Sequence, residues 1–111
     1  MGDRFGASCA GALVASSFTY FSEKRRAVAH NRPYAGGYVL ERHARPDSGI
    51  HAFQLEIDRT SYLDPQQAEP GNGFGAIVHL LTGLVRRLAG EVAELGRLAR
   101  PEDGGWAIAA E

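Results

Sequence analysis

Cysteine is almost absent from this chain of 111 residues, where Cys9 stands alone. No disulfide can form within the chain, and a reducing, cytoplasmic setting is the simplest expectation. An excess of charge is missing too: 12 Lys and Arg face 13 Asp and Glu for a net charge of −1, with an isoelectric point near 6.4. That balance excludes the basic footprint of a nucleic-acid binder. No apolar run approaches the ~20 residues that span a bilayer. The opening Met-Gly-Asp-Arg lacks the charged-then-apolar layout of a signal peptide. Neither nucleic acid nor membrane is therefore expected as a partner. Histidines 30, 43, 51 and 79 show no HxxE or HxxxH spacing, so no zinc site is legible within the chain. Internal repeats and low-complexity blocks are also lacking. One domain with a modest core is the most this length supports.

What is present is concentrated between Asn31 and Asp64. His51, Phe53, Leu55 and Ile57 alternate with Gln54, Glu56 and Asp58, the period-two pattern of a strand with two differently dressed faces, over Ile50 to Asp58. Arg42, His43 and Arg45 lie upstream and Arg59 follows directly, a combination suited to a small anion. Around this segment, Ser8 is placed to cap a helix from about Ala10 to Lys24, with Leu13, Val14, Phe18 and Phe21 on one face and Arg25 and Arg26 at its negative end. Ala27 to Ala29 read as a short buried strand. The run NRPYAGG is turn chemistry, with Pro33 fixing φ and Gly36-Gly37 allowing close backbone approach. Tyr38 to Arg45 fits a short helix or a strand. Residues 65–75 form a loop, and an amphipathic helix follows from about Gly75 to Arg100, where Pro101 stops it. The remaining residues, 101–111, read as a mobile tail.

Four segments carry a resemblance: GDRFGAS at Gly2 to Ser8, NRPYAGGY at Asn31 to Tyr38, ERHARP at Glu41 to Pro46, and HAFQLEIDRTSYLD at His51 to Asp64. In this order they resemble the C-terminal half of the N-formylglutamate amidohydrolase (deformylase) family. The resemblance implies an α/β fold, a partial three-layer α/β/α sandwich of the carboxypeptidase-like zinc hydrolase type, formed by residues 1–100. It also implies hydrolysis of the formyl or acyl amide of a small N-acyl amino acid, as in histidine catabolism. Zinc would be the cofactor of the complete enzyme, with none expected on this chain alone. The family's metal ligands lie upstream of GDRFGAS, so the chain is expected to be a C-terminal fragment, inactive alone and completed by an N-terminal half.

The resemblance points to Glu56 as the general base, acting on water and passing its proton to the departing amine. The alternative is a solvent-facing glutamate on an edge strand. Arg59 suits a forked grip on a substrate carboxylate, or else an ion pair with Asp58, Asp64 or Glu56. Arg42 and His43 are candidates for holding a carboxylate and the scissile carbonyl, against a solvated basic turn. Asn31 and Tyr34 are candidates for substrate contact, against a rigid turn with Tyr34 as a lid. His51 reads as a hydrogen-bonded structural histidine. In a reading of another class, the chain is a catalytically inactive remnant or interaction module. It then self-associates through the apolar face of its long helix.

Overall fold

The structure is a computed structural model that describes residues 1–99; the expected stop at Pro101 and the tail at 101–111 lie outside them. Three helices order the described chain: α1 over Gly11–Glu23, α2 over Tyr38–His43 and α3 over Phe74–Leu98. Two 3₁₀ turns lie between α2 and α3, at Pro46–Ser48 and Arg59–Ser61.

The helix expected from Ala10 to Lys24 forms within a residue of each end, but its caps differ from expectation. Ala10 is the N-cap and offers no side-chain acceptor. Ser8 is buried, and its hydroxyl donates instead to the Ala52 carbonyl at 2.8 Å. His51 Nδ1 accepts the Ala10 amide at 3.1 Å, the structural role expected of it. At the far end Arg25 adopts φ +59. The Arg25 amide then reaches Ser22 O, and the Arg26 amide reaches Phe21 O at 2.8 Å. This is the Schellman closure that glycine usually supplies. Arg25 acts through its backbone, and no basic residue sits in the last helical turn.

α3 runs antiparallel to α1, because the start of α1 meets the end of α3. Leu95 packs on the cluster of Met1, Cys9, Leu13 and Val14, while Leu80 packs on Tyr20, Phe21 and Leu84. The Tyr20 hydroxyl donates to Leu80 O at 2.6 Å, next to Gly83, where a Cβ would collide with that hydroxyl. Halfway along, Arg87 donates from Nε to Ser16 Oγ and pairs with Glu23 at 3.0 Å, while Ser16 donates to Glu91. The apolar face expected along α3 is only partly covered. Ile77 and Leu84 are buried, whereas Val85 and Leu98 are 65% and 63% exposed.

The expected strands are the main departure. Neither Ala27 to Ala29 nor Ile50 to Asp58 forms a regular strand. Pairing among the described residues is confined to isolated antiparallel bridges at Gly2–Gln54, Arg45–Ile50 and Leu63–Pro70. Ala27 and Ala29 are exposed, not buried. A strand needs a neighbour along its length, and beyond Gln54 the segment 55–58 has none among the described residues. The described residues thus set helices against extended segments and do not build a three-layer sandwich. Met1–Gly2 lies between two of those segments. The Met1 amino group donates to Ala29 O and Met1 O accepts from the Asn31 amide, both at 2.8 Å; Gly2 exchanges two 2.9 Å bonds with Gln54. Gly2 has no room for a side chain, since a Cβ would stand 2.6 Å from Ala35 O.

Candidate active site

One cleft lies against these extended segments. It occupies about 320 Å³, with Met1, Phe21, Val28, Leu55, Ile57, Ile77, Leu80 and Leu81 as apolar lining and Arg26, Arg32, Tyr34, Glu56, Asp58 and Ser61 as polar lining. The alternation read in the sequence sorts the two kinds. Phe53 and Leu55 pack on the helix clusters. Gln54 shares the opposite face with Glu56 and donates to it at 3.3 Å.

Glu56 and Tyr34 thereby both line one cleft. Glu56 is exposed, however, on an extended segment that is not a buried central strand. Tyr34 is 59% exposed and does not close over the core. The other candidates stand elsewhere. Arg42 and His43 end α2, exposed and outside the cleft lining. Arg59 begins the turn after Asp58, also outside the lining. It makes no ion pair with a described carboxylate. Asp58 caps that turn, its carboxylate accepting from both the amide and the hydroxyl of Thr60 at 2.9 Å. Those two bonds, the backbone one first, hold the Asp58 carboxyl below the usual carboxylate range.

Asn31 is not free to meet a substrate. It is buried at φ +63, its Oδ1 accepts the Asp3 amide and its Nδ2 donates to Asp3 Oδ1, each at 2.9 Å. His30 Nε2 also meets Asp3 Oδ1 at 2.9 Å, while its ring packs edge-on against Phe18. Burial alone drives the Asp3 carboxyl upward. The hydrogen bonds from Asn31, His30 and the Gly6 backbone, with the charge of His30, outweigh burial and leave the group below its ordinary value. Burial, helped by the charge of Asp3, pushes the Cys9 thiol up to about 11, which removes it as a nucleophile.

Arg32, which shares the NRPY loop with Asn31 and Tyr34 as a candidate substrate contact, lines the cleft, and so does Arg26, which reads in the sequence only as a helix-end charge. Only the fold brings 26–33 beside 55–58. The zinc implied by the family resemblance does not fit the residues here. Among the described residues no three His, Cys, Asp or Glu side chains cluster. Asp3 and His30 approach each other, but Asp3 is occupied by Asn31.

The described fold is similar to that of a solved hydrolase. The crystal structure of N-formylglutamate amidohydrolase from Ralstonia eutropha JMP134 superposes with a TM-score of 0.77 at 33% identity, over 84% of this chain and 33% of that one. The family model for N-formylglutamate amidohydrolase matches residues 1–63. The chain belongs to the N-formylglutamate amidohydrolase family. It spans about a third of the length of the Ralstonia enzyme. No curated protein matches it.

Proposed function

We infer that this polypeptide is the base-bearing part of an amidohydrolase acting on N-formylglutamate or a related N-acyl amino acid. The observation that carries the reading is the cleft in which Glu56 shares a polar rim with Arg26, Arg32 and Tyr34. The Glu56 carboxylate takes a proton from water as its oxygen adds to the formyl carbon. The same proton passes to the amine nitrogen as the C–N bond breaks, releasing formate and the amino acid. Arg32 from the cleft wall and Arg59 from the adjoining turn are the guanidinium groups assigned to the substrate carboxylates. Tyr34 covers the substrate. Asn31 positions the loop through Asp3 instead of touching substrate, and Arg42 and His43 keep a binding role only if α2 is drawn towards the cleft. No step is routed through a metal, because the described residues supply no ligand set. The full sandwich, its metal and the activity are assigned to an assembly with the part of the family fold that this chain does not cover.

The test mixes the chain with a polypeptide covering the upstream two-thirds of a family enzyme, adds zinc and measures formate release. Activity is expected from the mixture and not from the chain alone, and Glu56→Gln is expected to lower it ~10²–10⁴-fold. The chain alone is expected to retain less than one zinc per molecule after dialysis.

A second reading is favoured by Val78, Val85 and Val92, spaced by sevens on α3 and 48%, 65% and 42% exposed. In that reading the helix self-associates through this stripe and the chain has no catalytic role. A stable oligomer with no activity from the mixture would decide for it.

A further inference from the structure

We propose that Asn72–Gly73 is a self-modifying site, where the chain converts its own asparagine into a carboxylate through a cyclic imide. The chain holds two asparagines, and the fold treats them in opposite ways. Asn31 is buried with both side-chain polar atoms bonded to Asp3, and the bulky Arg32 follows it. Asn72 is exposed on the loop that enters α3, beside a hollow of about 410 Å³ lined by Thr60, Asp64 and Gly73. Among the described residues nothing hydrogen-bonds to the Asn72 side chain or to the Gly73 amide. An uncommitted side-chain carbonyl carbon thus adjoins an uncommitted backbone nitrogen. Glycine leaves that nitrogen open to approach, and here glycine is compulsory. A Cβ at position 73 would collide with Ser61 O, so no other residue can shield the pair without moving the turn.

Water is the sole co-reactant. The Gly73 nitrogen loses its proton and attacks Asn72 Cγ, forming a C–N bond that closes the imide. The side-chain nitrogen leaves as ammonia, taking up the proton that Gly73 gave. Water then opens the ring. Cleavage at Cγ restores the normal backbone with aspartate at 72, and cleavage at the backbone carbonyl gives isoaspartate. Either product makes the chain one unit more negative than its net charge of −1. The new charge arrives where it has a partner. α3 starts with no side-chain cap and no acidic residue in its first turn, and the amides of Gly75 and Ala76 have no backbone partner. An aspartate at 72 stands just before the positive end of this 25-residue helix. Asp64 lines the same hollow, but its Oδ1 is already held by the Ala68 amide, so the helix end is the uncompensated partner. Conversion to aspartate therefore steadies the start of α3.

The experiment incubates the full chain at mildly alkaline pH, with and without urea, and follows intact mass and peptide maps over time. Expected in the folded chain is exchange of NH2 for OH at residue 72, as both aspartate and isoaspartate, with Asn31 unchanged. Because an exposed loop samples open conformations readily, the rate in buffer is expected to lie within about 10-fold of the rate in urea. Asn72→Gln, which would have to close a ring one atom larger, is expected to abolish the change. A wider gap between the folded and unfolded rates would overturn the proposal, as would conversion at Asn31 ahead of Asn72 in the folded chain. The charge is read separately from thermal midpoints. Asn72→Asp is expected to melt above Asn72→Gln by a margin that added salt removes. Equal midpoints, or a lower one for Asn72→Asp, would overturn the steadying of α3. None of these readouts involves the cleft or formate release, so the outcome is independent of the catalytic reading.

Discussion

Asp3 shows how much one buried carboxylate can organise. One carboxylate oxygen, Oδ1, meets both His30 and Asn31, and the Asp3 amide is held by Asn31 in return. Replacing Asn31 by alanine strips one partner from a buried charge and orphans a buried amide. A loss of ~1–3 kcal/mol in denaturant unfolding is expected. The same network sets an acid response. A carboxyl whose folded pKa lies below its unfolded 3.8 stabilises the fold at higher pH, and that contribution is lost as pH falls through the folded value. The denaturation midpoint of the wild type should therefore fall steeply below about pH 4, and Asp3→Asn should flatten that fall; parallel curves would refute it. In the sequence, Glu56 was legible as a candidate through the family resemblance of its QLEIDR run, and NRPY as a loop able to approach a ligand. That Asn31 would be taken up by Asp3 was not, because the bond joins residues far apart in the chain and leaves no local spacing to read.

Helices were readable and strands were not, for a physical reason. α1 and α3 satisfy their hydrogen bonds within themselves, so the apolar periodicity of Leu13, Phe21, Leu84 and Leu88 located them to within about two residues. The alternation at His51 to Asp58 correctly sorted Leu55 from Glu56. A strand also depends on a neighbour, and alternation says nothing about whether one is present. The helix pair itself makes a sharp prediction. Gly83 lies where the Tyr20 hydroxyl crosses to Leu80 O, so Gly83→Val forces α1 and α3 apart at an estimated ~1–3 kcal/mol. Leu84→Ala, in the buried cluster beside it, should cost ~2–5 kcal/mol. Val85→Ser on the exposed side should change stability by no more than ~0.5 kcal/mol. Urea midpoints of the three variants check the order.

At the scale of the whole molecule, no helix among the described residues is long and apolar enough to cross a membrane. Family membership was legible from four short segments in the first 64 residues, the stretch that the family model matches over 1–63. One more consequence follows from the sole thiol. Cys9 is 3% exposed, and its pKa near 11 leaves almost none of it ionised at neutral pH. Packed between Met1, Leu13 and Val14, it is touched only when the two helices part. The protein thus carries its own stopwatch for breathing. Capture of this sulfur by an aromatic disulfide reagent should proceed at the pace of global opening, slow in buffer and accelerating with urea in step with lost ellipticity. Any variant that loosens the helix pair should run the clock faster.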